Sequence, residues 1–185
     1  MIQETLKSAE EQMERTIEAT REDFASVRTG RANPGLYSKV MVDYYGSYTP
    51  LQQLASFTTT DARTLLITPF DVSALRNIEK ALSESEVGAN PSNDGKVIRV
   101  VMPELTEERR KEYVKLVKSK AEEHKISLRN ARRKAKEAMD KAVKDGDVGE
   151  DEGARGEKDL DALTKKHVDM IDEMAKNKEA ELLEL

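Results

Sequence analysis

Residues 106–145 read TEERRKEYVKLVKSKAEEHKISLRNARRKAKEAMDKAVKD, and this stretch decides the fold. Thr106 is a good N-cap, and Glu107 and Glu108 follow in the first turn, where carboxylates favour the helix dipole. Val114, Val117, Ala121, His124, Leu128, Ala131, Ala135, Ala138 and Ala142 then recur three or four apart. That spacing predicts one helix from about 107 to 145, about 58 Å long at 1.5 Å per residue. Alanine dominates the C-terminal half of the seam, so neighbouring helices are expected to pack closely there.

The segments on either side carry the same period. Ile2, Leu6, Ala9, Met13, Ile17, Thr20, Phe24 and Val27 form one seam, expected to run until Gly30 and Asn33-Pro34-Gly35 stop the helix. Leu160, Leu163, His167, Ile171, Met174 and Leu182 define a third helix. Gly146, Gly149, Gly153 and Gly156 interrupt the pattern before it and leave its start open by several residues.

Residues 31–105 differ in character. Leu36, Val40 and Val42 are strand formers, Tyr44 to Pro50 reads as a strand then a turn, and Thr64 to Thr68 is a short apolar run. Ser73 to Ser83 reads as a helix with Leu75, Ile78 and Leu82 on one face. Asn90 to Gly95 is a cluster of turn residues, and Lys96 to Met102 alternates polar and apolar. The expected class is α+β: an antiparallel three-helix bundle from 1–30 and 106–185, with a small β/α/β domain, 31–105, inserted in a loop.

Composition narrows the function. The chain has 185 residues, no cysteine, 4% aromatic and 36% charged residues, which excludes disulfide scaffolds and thiolate chemistry and disfavours a β-sandwich. No run of about 18 apolar residues is present and no leader precedes Gln3 and Glu4, so a soluble cytoplasmic protein with no membrane contact is expected. The net charge of −5 argues against nucleic-acid binding until its distribution is seen: residues 106–145 hold 14 basic and 8 acidic side chains, and 146–185 hold 6 and 13.

On a helical wheel with Leu128 at zero, Lys111, Lys115, Lys118, Lys125, Arg129, Arg132, Arg133 and Lys136 fall between about 40° and 140°. Glu122 is the only acid in that arc between 111 and 136. A cationic stripe therefore borders the buried seam. A solvated face is the plain alternative, but arginine at 129, 132 and 133 suits phosphate recognition. Arg28 and Arg31 flank Gly30, and Arg109, Arg110 and Lys111 open the second long helix. As helix caps or partners of Glu107 and Glu108 they would be structural.

Catalytic candidates are lacking. His124 and His167 occupy seam positions and are expected to be packed, hydrogen-bonded histidines. The acidic run from Asp145 places Gly149, Glu150 and Gly156 where a calcium loop needs an oxygen donor, glycine and glutamate, so no metal site is expected. No phosphate loop, dinucleotide fingerprint or nucleophile–base pair occurs, and no cofactor is implied.

Five motifs recur in order across the chain: Val27-Arg28-Thr29-Gly30-Arg31-Ala32-Asn33-Pro34; Tyr44-Tyr45-Gly46 with Thr49-Pro50-Leu51; Asn90-Pro91 with Asp94-Gly95; Leu105-Thr106-Glu107-Glu108-Arg109-Arg110-Lys111; and Arg129-Asn130-Ala131-Arg132-Arg133. Together they closely resemble the bacterial ribosome recycling factor family. The resemblance implies an L-shaped monomer of tRNA-like dimensions, with a flexible double hinge between bundle and small domain. It implies binding to the post-termination ribosome and, with elongation factor G and GTP hydrolysed by that partner, separation of the subunits and release from mRNA, with no covalent chemistry by the factor itself. Carried over by motif, Arg28, Arg31, Arg110, Arg129, Arg132 and Arg133 are expected to contact large-subunit ribosomal RNA. Lys111, Lys118, Lys125 and Lys136 of the stripe are expected to join them. Gly30 and Arg31, with Glu104, Leu105 and Thr106, are expected to form the hinge. The competing expectation is a cytoplasmic helical adaptor that grips acidic proteins through the same stripe, which leaves the inserted domain without a role. An enzyme in that domain is a weaker third, since no convergent catalytic set is present.

Overall fold

A computed structural model describes residues 1–85 and 90–184 of the chain. It divides into two compact units, Met1–Asp23 with Lys115–Ala180 and Phe24–Val114 with Glu181–Leu185.

Three helices supply the first unit: most of α1 (Ile2–Ala25), of α3 (Glu107–Lys144) and of α4 (Glu150–Leu183). Their buried rows keep the three-four spacing: Ile2, Ala9, Met13, Ile17 and Thr20 on α1; Val117, Ala121, Leu128, Ala131, Ala135, Met139 and Ala142 on α3; Leu160, Thr164, His167, Ile171 and Ala175 on α4. Ile2 and Met139 both lie at Gly156, while Lys120 reaches Asp23. So α3 runs antiparallel to α1 and α4, which run alongside each other.

Three expectations for these helices are corrected. Ala138 is exposed and Met139 is buried in its place, because the seam of a straight helix drifts and position 139 stays closer to its centre. The first helix stops at Ala25 rather than at Gly30. The chain folds back on the helix end, and a Cβ built on Gly35 would lie 2.7 Å from Ala25 Cβ. The glycines at 153 and 156 do not interrupt the third helix but lie inside it. α3 ends at Lys144 and is closed just beyond it by Gly146, whose φ of 77° lets its N–H reach the Val143 carbonyl (3.1 Å) while the Asp147 N–H reaches that of Ala142 (3.0 Å).

These helical glycines are a packing device. A Cβ on Gly153 would stand 2.5 Å from Val143 Cγ2, and one on Gly156 would stand 2.7 Å from Ile2 Cγ2 and 3.4 Å from Met139 Sδ. Glycine costs about 1 kcal/mol relative to alanine inside a helix, and the close approach of α4 to its neighbours offsets that cost.

The second unit carries the strands, all antiparallel. β1 (Met41–Tyr44) and β2 (Ser47–Pro50) form a hairpin, and β3 (Ala55–Asp61), β4 (Thr64–Pro69), β6 (Ile98–Val101) and β5 (Pro91–Asn93) form a four-stranded sheet in the order β3-β4-β6-β5. α2 (Leu75–Glu84) buries Leu75, Ile78 and Leu82 in a core shared with Tyr37, Val42, Leu51, Leu65, Ile67, Ile98 and Met102. Three sequence expectations change. Pro34–Tyr37 is a 3-10 turn, with Asn33 Oδ1 accepting from the Gly35 N–H (2.9 Å). Tyr44 to Pro50 is two strands, not one and a turn, and the turn cluster at 90–95 contains β5. β3 has no signature because it is an edge strand whose Ser56, Thr58, Thr59 and Thr60 face solvent.

Replacing Gly156 by Val should lower the stability of the helical unit by about 1–3 kcal/mol, since the branched Cβ meets Ile2. The check is the urea midpoint of the far-ultraviolet circular dichroism signal. An unchanged midpoint would show that the helices separate freely there.

Candidate nucleic-acid interface

α3 presents its cations in two rows. The inner row flanks the seam: Lys125, Arg132 and Lys136, all half-buried. Their partners come chiefly from α4, where Glu157, Asp161 and Asp172 lie within about 60° of one another on the wheel. Arg132 Nε donates to Asp161 Oδ1 at 2.6 Å. Lys125 Nζ pairs with Asp172 and also reaches Glu122 at 3.2 Å. Lys136 Nζ donates to Asp140 at 2.9 Å and lies 3.8 Å from Glu157. The Asp172 hydrogen bond raises the pKa of Lys125 above its ordinary value, and the Asp140 hydrogen bond does the same for Lys136. Both ammoniums stay charged, and each sees neighbouring carboxylates.

The outer row is different. Lys115, Lys118, Arg129 and Arg133 are exposed and make no ion pair among the described residues. They sit at about 80° to 140° from the seam on a helix held by its neighbours, so their charges face solvent together. This row is free to meet an external anion without first breaking an internal pair, and the inner row is not. The wheel alone missed that division, because the neutralising acids belong to another helix. The available signal was position: cations immediately beside a seam are where interhelical pairs form.

A second ionic group lies at the α1–α3 contact. Lys120 Nζ donates to Asp23 Oδ1 (2.8 Å) and His124 Nε2 bonds Asp23 Oδ2 (2.9 Å), all three side chains being largely buried. On α4, His167 Nδ1 donates to the Leu163 carbonyl (2.8 Å) in the core. Both histidines are packed and hydrogen-bonded, as the spacing predicts. Among the described residues no group of three or more His, Asp or Glu converges as a metal site.

The remaining expected site residues belong to the second unit. Arg28 Nη2 donates to the Pro103 carbonyl (3.4 Å), and its Nε is buried without a hydrogen-bond partner among the described residues. Beside it, burial pushes the Tyr37 hydroxyl up to about 12 against the opposing pull of the Arg28 charge. Arg110 donates through Nε to the Leu105 carbonyl (3.3 Å) and through Nη1 to that of Glu184 (2.8 Å), and Arg31 lies 3.5 Å from the Glu184 carboxylate. Lys111 makes an exposed contact with Glu107 at 3.4 Å. Gly30, at φ 84°, sits against Leu105, and Glu104 pairs with Arg63 at 3.0 Å. Thr106 Oγ1 accepts from the Arg109 N–H at 3.2 Å, the predicted cap. The five expected hinge residues are thus gathered where two non-helical segments run side by side.

Comparison with known proteins follows this geometry. Residues 20–183 match the family described as ribosome recycling factor. The ribosome-recycling factor of Micrococcus luteus is 92% identical over 185 residues, covering all of both chains. A solution structure of the ribosome recycling factor is similar with a TM-score of 0.77 at 36% identity, over 100% of this chain and 98% of that one. A second likeness, TM-score 0.70 and 38% identity over the whole of both chains, is to a structure of the T. thermophilus ribosome recycling factor and E. coli elongation factor G bound to the E. coli post-termination complex.

The two rows should separate in stability measurements. Arg132→Ala and Asp161→Ala should each cost about 0.2–1 kcal/mol, with a coupling of that size in the double variant, whereas Arg133→Ala should fall within about 0.5 kcal/mol of the parent. Thermal unfolding of the four proteins checks this, and zero coupling would return Arg132 to the free row.

Proposed function

The chain belongs to the ribosome recycling factor family, and from that membership we propose that it binds the post-termination ribosome and, with elongation factor G and GTP hydrolysed by that partner, promotes separation of the subunits and release from mRNA. The observation that carries the RNA-binding part is the outer row of α3, Lys115, Lys118, Arg129 and Arg133, unpaired among the described residues and exposed on a rigid helix. Phosphates would be held there by direct ionic contact, while the acidic faces of α1 and α4 discourage indiscriminate association with nucleic acid. Few aromatics are available for base stacking, so recognition is of RNA shape rather than sequence.

Within this reading the segments 1–30 and 106–185 hold the large-subunit RNA through their helices, and 31–105 is the domain that moves. The arginines at 28, 31 and 110 are reserved for RNA only after they release carbonyls and the Glu184 carboxylate, so they act later or more weakly than Arg129 and Arg133. Hinge motion would be taken up at Gly30–Arg31 and Glu104–Thr106, where the backbone is non-helical. The protein works as a cytoplasmic monomer and makes or breaks no covalent bond. No described helix is long and apolar enough to cross a membrane.

Two measurements test this. Affinity for purified ribosomes should fall steeply as salt is raised, and the combined Arg129→Ala and Arg133→Ala variant should flatten that log–log slope by about 1–2. A slope unchanged by the double variant would remove the outer row from the interface. Gly30→Val should leave ribosome affinity within about twofold yet slow subunit splitting with elongation factor G and GTP, because a β-branched residue resists φ 84°. Full splitting speed in a folded Gly30→Val protein would take Gly30 out of the mechanism.

A further inference from the structure

α4 sets two carboxylates on the cationic side of α3 where packing alone does not require them. Asp161 Oδ1 accepts from Arg132 Nε at 2.6 Å, and Asp172 pairs with Lys125. Both aspartates are open to water, their side chains 51% and 52% exposed, whereas the cations they hold are recessed, Arg132 at 33% and Lys125 at 13%. Pairs so exposed on the acidic side contribute little to stability at ordinary temperature. What the two aspartates do decide is which anions can use Arg132 and Lys125.

Position on the helix separates two kinds of encounter. With Leu128 at zero, the outer row of α3 lies at about 80° to 140°, while Lys125 and Arg132 lie at about 60° and 40°, beside α4. An RNA duplex laid along α3 therefore meets Lys118, Arg129 and Arg133 first and finds the inner two cations already occupied. To use them, a phosphate must come in beside α4 and displace a carboxylate. Giving up one exposed pair costs up to about fivefold in affinity. A loosely held RNA gains too little from the exchange. An RNA surface already fixed by the outer row presents its next phosphates at high effective concentration, and the exchange then proceeds.

We infer that Asp161 and Asp172 are specificity-determining residues. They stand in for phosphate on Arg132 and Lys125, withhold both cations from RNA at large, and yield them to ribosomal RNA whose shape carries phosphates in beside α4. The inference rests on the RNA-binding reading above. It gives two acids next to an RNA-binding row a task, where net charge alone counts them as a hindrance.

The test titrates two probes at stepped salt: purified ribosomes and a synthetic RNA duplex of mixed sequence. Asp161→Asn combined with Asp172→Asn keeps the shape of both side chains and removes both charges. A control, Asp159→Asn combined with Glu173→Gln, changes the net charge equally at exposed positions about 100° to 140° to the other side of Leu160 on α4. The first variant should bind the duplex about tenfold more tightly, with a log–log salt slope steeper by about 1–2, because two further cations meet phosphate. Its slope for ribosomes should not change, since the same two cations already meet phosphate there, and its ribosome affinity should rise less than its duplex affinity. The control should keep the parent's duplex slope. An unchanged duplex slope in the first variant overturns the inference, as does a ribosome slope that steepens with it or a control that behaves alike. Thermal unfolding verifies the fold, and if the double variant melts early, Asp161→Asn alone must steepen the duplex slope or the inference falls. A parent protein that does not bind ribosomes overturns the recycling reading instead, and that is read before any variant is compared.

Discussion

Small side chains along α3 and α4 set the distances from which the helical unit takes its character. Ala121, Ala131, Ala135 and Ala142 line the buried face of α3, and Gly153 and Gly156 let α4 approach Val143, Ile2 and Met139 to ordinary contact. At that separation the cations nearest the seam meet the carboxylates of α4 and are neutralised. Lys115, Arg129 and Arg133 lie farther round and, like Lys118, make no such pair among the described residues. The division between structural and free cations is therefore a consequence of packing, with no separate device needed to keep the outer row available.

The helical part was legible because its period is strict. Of the eight seam positions read on the first helix, seven are buried, and Leu6 is half-buried. The long helix begins at the cap and first turn that Thr106, Glu107 and Glu108 announce. What the period does not carry is the difference between a glycine that ends a helix and one that admits a neighbour. Gly146 has a left-handed φ and ends α3, whereas Gly153 lies within α4 against a valine. Only the neighbouring helix tells them apart.

The small domain was less legible for a related reason. β3 is stabilised by pairing with β4 across its length, and its outward threonines give no alternation to read. β5 is three residues long and lies among turn formers. The expected RNA-contacting residues divide in the same way. Arg129 and Arg133 are placed by their own helix and were readable from it. Arg28, Arg31 and Arg110 are engaged by carbonyls and a carboxylate distant in sequence, which no local pattern specifies.

The cross-helix pairs of Lys125, Arg132 and Lys136 with α4 also give the protein a response to heat. The cost of stripping water from charges falls as temperature rises, while the gain from burying apolar surface levels off. On warming, the attachment of α3 to α4 therefore comes to rest increasingly on this ladder and less on the alanine seam. Adaptation to a hotter habitat could proceed by adding rungs along α4 without altering any side chain of the outward row.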